Sequence, residues 1–474
     1  MKNRFEAVIV GMGPAGLAAA VELGRLGVQV AVVDDQPNPG GQVYRQPSPD
    51  FSISDTRFLG VKYQKGQRLI DEFNSVRDRC TVYNEANIWG FFNGDSLSLA
   101  RNNEIFLIGF KKLILAEGAM ERSWPFPGWT LPGVMTLGGL HKLVLPERTL
   151  PGRRFLLAGC SPLLLPVAAS IVAAGGEIAA ICDPVPFYRY LKILPEFLRQ
   201  RELAHEFLTY LFPVIKELVT VLRPYTVISA SGHDRVEEAR VARLDPQGRP
   251  VPGSEKQFKI DILGVSDGFL PLGRLARLCG CEHIYDPLLH YWKPQTDDQM
   301  RSSRPDIYIA GDSKGMGGRD LAMVEGRLAA LHLAGELGRI SASELNGRKK
   351  RLQTERTRLQ QYAAKLNEVF SLPSGPPDIM DKETIVCRCE HITVGDVEAG
   401  IERGYRNINE MKRTRLGMGL CQGRTCESIA ARIMLRKGIP IEEIGYLNLR
   451  PPLTPLPFFL LEEYAQSHRG ADQA

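Results

Sequence analysis

Four of the chain's nine cysteines stand in two close pairs, Cys387-x-Cys389 within VCRCEHITV and Cys421-x4-Cys426 within GLCQGRTCES. Four thiolates delivered by two loops suit a [2Fe-2S] cluster or a tetrahedral zinc ion. Structural zinc usually takes a first pair spaced C-x2-4-C, which leaves room for a turn around one ion, and Cys387-x-Cys389 is tighter than that. A disulfide between residues separated by one position is strained. Arg388, Lys412, Arg413, Arg415 and Arg424 lie in or just before the ligand loops, where cations complement the net negative charge of a four-thiolate cluster. Gly417, Gly419 and Gly423 let backbone N–H groups approach sulfur, which tunes reduction potential. These residues favour Cys387, Cys389, Cys421 and Cys426 as ligands of one [2Fe-2S] cluster, with zinc or free thiols as the alternatives.

A second chemistry-bearing stretch opens the chain. The apolar run Ala7–Val10 leads straight into Gly11-Met12-Gly13-Pro14-Ala15-Gly16, an Ala- and Leu-rich helix follows, and a second strand ends on Asp34. A glycine pattern between strand and helix, with an acid closing the next strand, is the dinucleotide fingerprint. Gly11 permits the tight turn, Gly13 lets the backbone approach a pyrophosphate, Gly16 allows helix and strand to pack, and Pro14 and Ala15 start the helix. Asp34 would accept hydrogen bonds from a ribose, and Gly41 and Gln42 extend the candidate wall. FAD and NAD share this fingerprint. The later run Asp306-Ile-Tyr-Ile-Ala-Gly311-Asp312, a strand ending on Gly-Asp before a helix from about Arg319, resembles the second flavin signature of glutathione-reductase-like flavoproteins. That resemblance puts Asp312 on the ribityl chain and makes FAD the expected ligand, with the positive end of the helix aimed at it. Between the signatures, Leu113–Ala119 reads as the strand where two dinucleotide domains meet; it carries Gly118, but Glu117 stands where the family has threonine.

A further strand-turn-helix starts at Arg154 in the place of an NAD(P)H domain. Only Gly159 keeps its expected position, and Ser161 and Leu164 replace the second and third glycines, so the expectation is a retained fold with lost or altered nucleotide use. Cys279-Gly-Cys281 is too isolated for a second metal site. Eight scattered histidines form no recognisable base motif, and no Cys-x4-Cys redox pair follows the first fingerprint.

The elements that must position these groups follow from pattern and length. A chain of 474 residues, 44% hydrophobic, suits two or three domains. A net charge of +5 is modest and gives no nucleic-acid stripe. No cleavable leader and no transmembrane run is expected, and the cysteines suit a reducing compartment, so the expectation is a cytoplasmic protein or one peripheral at the inner face of the plasma membrane. The expected fold is α/β: a glutathione-reductase-like pair of dinucleotide-binding domains plus a small helical C-terminal [2Fe-2S] domain. The expected boundaries are 1–150 and 262–337 for the FAD domain, 151–261 for the degenerate nucleotide domain, 338–380 for a solvated helix and linker, and 381–474 for the cluster domain with a docking tail. The runs Asp261–Val265 and Gly268–Pro271 are expected to return the chain to the flavin domain. The Leu- and aromatic-rich stretch from Pro184 to about Tyr225 reads as helical core or partner surface rather than a substrate lid.

The spacing of the first three cluster cysteines resembles bacterioferritin-associated ferredoxin, and the longer last pair resembles the form fused to amine dehydrogenase flavoproteins. The order of FAD signature, degenerate nucleotide domain, Gly-Asp signature, four-cysteine module and Arg450-Pro451-Pro452 tail resembles the α-type flavoprotein subunits of heteromeric amine dehydrogenases: opine oxidases, dye-linked proline and hydroxyproline dehydrogenases, and hydrogen cyanide synthase. The resemblance implies a separate glycine-oxidase-like FAD β subunit that oxidises the C–N bond of an amino acid or opine, and a small third subunit in some complexes. This chain would pass electrons through its flavin and cluster to a quinone, cytochrome or dye. The resemblance also admits FMN at a subunit interface and ATP in the degenerate domain. The competing readings are an NAD(P)H-dependent flavin oxidoreductase and a non-catalytic assembly subunit.

Overall fold

Val8, Ile9 and Val10 read as an unbroken apolar run because their strand is central and parallel, covered on both faces. The computed structural model describes residues 3–47, 60–199, 201–371 and 379–468. The chain runs β1 (Arg4–Val10), α1 (Pro14–Arg25), β2 (Val30–Val33), α2 (Gly60–Asn74), β3 (Cys80–Tyr83), β4 (Asn87–Phe92), β5 (Ser96–Arg101), β6 (Glu104–Leu115), β7 (Ala119–Glu121), β8 (Val134–Thr136) and α3 (Leu137–Val144). It continues with β9 (Arg154–Gly159), α4 (Leu164–Ala173), β10 (Glu177–Cys182), α5 (Phe187–Tyr190), α6 (Leu194–Arg199), α7 (Arg201–Lys216), β11 (Val221–Leu222), β12 (Tyr225–Ser231), β13 (Glu238–Arg243), β14 (Lys256–Lys259), β15 (Ile262–Ser266) and β16 (Phe269–Pro271). Next come α8 (Arg274–Leu278), β17 (His283–Asp286), β18 (Tyr291–Pro294), β19 (Ile307–Ile309), α9 (Arg319–Glu336), α10 (Ala342–Val369), β20 (Ile385–Cys387), β21 (Ile392–Thr393), α11 (Val394–Glu402), α12 (Cys426–Arg436), α13 (Ile441–Ile444) and α14 (Phe458–His468).

Two sheets carry the fold. The first has the order β3-β2-β1-β6-β5-β4, with β19 joined to β6; the second has the order β11-β10-β9-β15-β8. One face of the first sheet packs on α1, α9 and α10, through residues such as Leu17, Leu328 and Leu359, and the other carries Leu275 and Cys279 of the α8 region and Leu453 of the tail. This is the glutathione-reductase-like pair of dinucleotide folds that the glycine signatures predict.

The placement of β15 corrects the sequence reading. Ile262–Ser266 does not return to the flavin sheet; it is a central strand of the second, parallel to both β9 and β8. The chain crosses back at β16, which pairs antiparallel with β7. β8 and α3, before residue 150, likewise go with the second sheet. A short buried apolar run carries no mark of which sheet it joins.

The charged segment after the second signature is one helix, α10, and it is not merely solvated: Leu359, Ala363 and Val369 are buried. Ser341 caps it by accepting from Glu344 N–H at 3.2 Å. Of the expected linker, residues 372–378 lie outside the described residues. The tail docks as expected, with Leu453 N–H donating to the Trp89 carbonyl at 2.8 Å.

Candidate functional site

The two glycine signatures meet. Gly11 adopts φ +103° at the end of β1, and a Cβ there would lie 2.3 Å from the Ala116 carbonyl oxygen; one on Gly16 would lie 1.8 Å from the Gly11 oxygen. Both glycines are therefore required by close backbone approach. Nothing comes nearer than 4.0 Å to the position of a Cβ on Gly13, so its open face is left to a ligand. On the other side, Gly326 of α9 approaches so closely that its Cβ would lie 2.1 Å from the Ala15 oxygen, which locks α9 across α1.

Around this crossing runs a cleft of about 400 Å³ whose wall includes Gly11, Gly13, Pro14, Ala15, Asp34, Gly41, Gln42, Gly118 and Asp312. Gly16 and Gly311 are not in the wall; they shape the turns behind it. Asp34 accepts from Met12 N–H, and from Gln36 N–H at 2.8 Å, while burial raises its pKa. Asp312 accepts from Gly317 and Gly318 N–H, each at 2.9 Å, and burial again raises its carboxyl. Gly118 N–H donates to Ser313 Oγ at 2.7 Å and so ties the turn after β6 to the Gly-Asp signature. Glu117 also lines the cleft. Its Oε2 is shielded and without a hydrogen-bond partner among the described residues, and burial pushes its carboxyl up to about 8. Amide-rich turns with two acids and no side chain at Gly13 fit a dinucleotide, whose pyrophosphate needs N–H donors and whose sugar hydroxyls need acceptors.

The rest of the wall was hidden from sequence reasoning. α10 contributes Leu359, Tyr362 and Leu366, and α7 contributes Leu203 and Glu206. Glu206 grips Arg319 at the start of α9 through two bonds, one of them 3.0 Å. The available signal was the helical spacing of Leu352, Leu359, Ala363 and Leu366 inside a charged run.

The second dinucleotide fold is filled by its own chain. Gly159, with φ +135°, is required by packing, because a Cβ there would lie 1.9 Å from the Ser266 oxygen. Cys160 S–H donates to the Phe370 carbonyl at 2.8 Å, which lays the end of α10 over the turn. Asp183, closing β10 where a ribose-binding acid belongs, already accepts from Arg223 Nε at 2.6 Å, Tyr190 O–H at 2.7 Å and Val185 N–H at 2.9 Å.

The four cluster cysteines lie in one neighbourhood as two pairs, Cys387 at the end of β20 beside Cys426 at the start of α12, and Cys389 beside Cys421. Cys426, with the backbone N–H groups of Glu390, Gly417 and Cys389, holds the Cys387 thiol down to about 5. Among the described residues no three His, Cys, Asp or Glu side chains gather as one metal ion requires. Gly419 packs so tightly that a Cβ would lie 2.3 Å from that of Cys389, and Gly417 and Gly423 both have φ near +80°, at 76° and 83°. Of the five cations near the loops, Arg424 bonds the Cys421 carbonyl at 3.1 Å, Arg415 pairs with Glu390 at 2.5 Å, Lys412 donates to the Asn448 carbonyl at 3.0 Å, and Arg388 and Arg413 stack on Trp129 and Tyr405.

Cross-contacts hold this module on the sheets. Arg277 of α8 donates through one guanidinium nitrogen, Nη1, to both carboxylate oxygens of Glu427 of α12, at 2.7 and 3.0 Å. Arg432 pairs with buried Asp267 at 2.5 Å, and Trp129 and Trp292 donate to the Ile385 and Gly445 carbonyls at 2.8 and 3.0 Å.

Residues 5–334 match the family described as pyridine nucleotide-disulphide oxidoreductase, and residues 381–463 match the sarcosine oxidase A3 domain. The chain is 32% identical over 453 residues to the HcnB component of hydrogen cyanide synthase from Pseudomonas aeruginosa, covering 95% of this chain and 97% of the relative. It is 32% identical to the A-type component of opine oxidase from Rhizobium meliloti, covering 96% and 87%. With the alpha chain of sarcosine oxidase from Corynebacterium it shares 24% identity over 96% of this chain and 45% of that longer protein. Among solved structures, L-proline dehydrogenase from P. horikoshii shares the fold at a TM-score of 0.70 and 21% identity, covering 97% of this chain and 79% of that one. The chain belongs to the pyridine nucleotide-disulphide oxidoreductase family, among the flavin-dependent α-type subunits of heteromeric amine oxidases and dehydrogenases.

Proposed function

We propose that this chain is the electron-transfer subunit of a complex that oxidises the C–N bond of an amino acid or opine. The observation that carries the reading is that one chain presents a flavin cleft and a site of two thiol pairs, joined by the Arg277–Glu427 pair, while its second nucleotide fold is occupied by its own side chains. Gly11, Gly13, Pro14, Ala15, Gly16, Asp34, Gly41, Gln42, Gly118, Gly311 and Asp312 would hold or shape the site of FAD. Cys387, Cys389, Cys421 and Cys426 would hold a [2Fe-2S] cluster: thiols set out as two pairs suit two irons, each with two thiolates, better than a single zinc. Bound together, the two groups supply conversion of a two-electron input into one-electron output.

The chain's own residues bind and orient these groups, and a glycine-oxidase-like FAD β subunit removes hydride from the amine carbon. FMN at the subunit interface is a further ligand of this reading, and ATP would enter the second nucleotide fold only by contacts other than Asp183 and the Cys160 turn, which the chain's own groups occupy. The physiological acceptor is a quinone, a cytochrome or, in assay, a dye, and the complex works in the cytoplasm or at the inner face of the plasma membrane. Stopped-flow mixing of the purified chain with NADH tests the reading: the flavin absorbance should persist, because Asp183 and the Cys160 turn are occupied. Fast bleaching would instead identify an NAD(P)H oxidoreductase.

A further inference from the structure

A dinucleotide carries an anionic pyrophosphate, yet the wall of the first cleft bears six carboxyls, Asp34, Asp35, Glu117, Glu206, Asp312 and Asp320, against one guanidinium, Arg319. All but one of these acids are provided for. Asp34 and Asp312 each accept from backbone N–H groups, Asp35 accepts from the Gln36 amide at 2.9 Å, and Glu206 and Asp320 pair with Arg319. Glu117 is the exception, with neither a hydrogen-bond donor nor an ion-pair partner among the described residues. Only its Oε2 is shielded; the residue is half-buried in the wall, so Oε1 is the oxygen open to the cleft.

The backbone fixes this carboxyl beside the glycine turn. Gly11 abuts the end of β6 so closely that a Cβ on it would lie 2.3 Å from the Ala116 oxygen and 3.4 Å from the Glu117 nitrogen. On the other side, the bond from Gly118 N–H to Ser313 Oγ anchors the same turn to the Gly-Asp signature. Glu117 is thus held between the two signatures. The charged and titratable groups around it are Asp35 after β2, and Arg274 and Cys279 of the α8 region. Arg274 favours the ionised carboxyl, but it is shared with Glu427 and faces Arg424. Burial outweighs it and carries the carboxyl up to about 8, so Glu117 is neutral at pH 7. A neutral carboxyl brings one O–H donor, which a shielded wall leaves unsatisfied unless a ligand supplies an acceptor. Phosphate oxygens and base nitrogens are such acceptors, whereas an ionised carboxylate would repel phosphate.

We propose that Glu117 is a binding residue for the dinucleotide: its protonated carboxyl donates a hydrogen bond to a phosphate oxygen or base nitrogen, and loss of that proton loosens the ligand. The proposal rests on the reading of this cleft as the FAD site. It adds to that reading a pH-dependent grip, firm through neutral pH and weakened in alkali, set by one side chain of the turn after β6.

Fluorescence titration of the flavin-stripped full chain with FAD at pH 6, 7, 8 and 9 tests it, with far-UV circular dichroism of each sample confirming the fold. Binding that requires a proton on a group titrating at about 8 should weaken about tenfold between pH 7 and pH 9 in the wild type. Glu117→Gln, whose amide donates but cannot ionise, should match the wild type at pH 7 and keep that affinity at pH 9. Glu117→Ala, which has no donor, should bind about fivefold to tenfold more weakly at pH 7, as loss of one hydrogen bond implies, with no further loss at pH 9. An equal wild-type Kd at pH 7 and pH 9 would overturn the proposal, as would the same alkaline loss in Glu117→Gln or unchanged affinity at pH 7 in Glu117→Ala. Wild-type chain that binds no FAD saturably at any of these pH values would overturn the flavin reading itself, a failure distinct from a flat pH profile.

Discussion

At the scale of single residues, the two chemistries rest on different kinds of constraint. Gly13 is the one signature glycine whose missing side chain faces open space, so it is the position where a side chain harms the ligand and spares the fold. Gly13→Val should reduce bound flavin to less than about a tenth of wild type while far-UV circular dichroism stays unchanged, because the branched side chain occupies the approach of the pyrophosphate. Full flavin occupancy in that variant would remove the cleft from consideration. Glu117 gives a pH signature. Its carboxyl titrates at about 8 in the folded protein, against an ordinary value of 4.5, so the folded state holds a proton that the unfolded state has released across that window. Its contribution to flavin-free stability therefore falls as pH rises from about 4.5 to 8 and is level above that. Glu117→Gln, which cannot ionise, should flatten this slope in denaturant titrations of the flavin-free chain at pH 5, 6.5 and 8. An identical slope in wild type and variant would place the titration elsewhere.

Elements decide which of these residues meet. The β1–α1 turn and the Gly-Asp turn before α9 were legible because each carries an obligatory glycine and an acid at fixed spacing. β15 was not legible as a strand of the second sheet, since a strand buried on both faces has no polar side to orient it. α10 was read as solvated because charge dominates its composition, yet a sparse stripe of Leu359, Ala363 and Leu366 suffices to lay it over the cleft. The contacts that hold the cluster module on the sheets lie far apart in sequence, and Arg277 and Glu427 become a pair only after both domains have folded. Their side chains are 12% and 20% exposed, so the pair is shielded enough to count. Arg277→Ala should lower stability by about 1.5–3 kcal/mol, the range for hydrogen bonds to charged groups, measured by urea denaturation. A change below about 0.5 kcal/mol, the size of an ordinary surface effect, would show that the module is held by its other contacts.

For the whole molecule, the proposed function divides labour between chains. The relatives are subunits of larger enzymes, and no helix among the described residues is long and apolar enough to cross a membrane. The purified chain alone should contain cofactor and reduce no dye with proline, hydroxyproline or an opine, whereas turnover should appear on adding the β subunit; robust turnover without that partner would put the amine site in this chain. The claim on which this division depends most is that the two thiol pairs carry electrons rather than a structural ion. Electron paramagnetic resonance of the dithionite-reduced protein, with iron and acid-labile sulfide analysis of the same sample, measures it directly. The expected result is a reduced-cluster signal with about two irons and two sulfides per chain, lost or strongly diminished in Cys421→Ser. One zinc per chain with no paramagnetic signal would contradict the account.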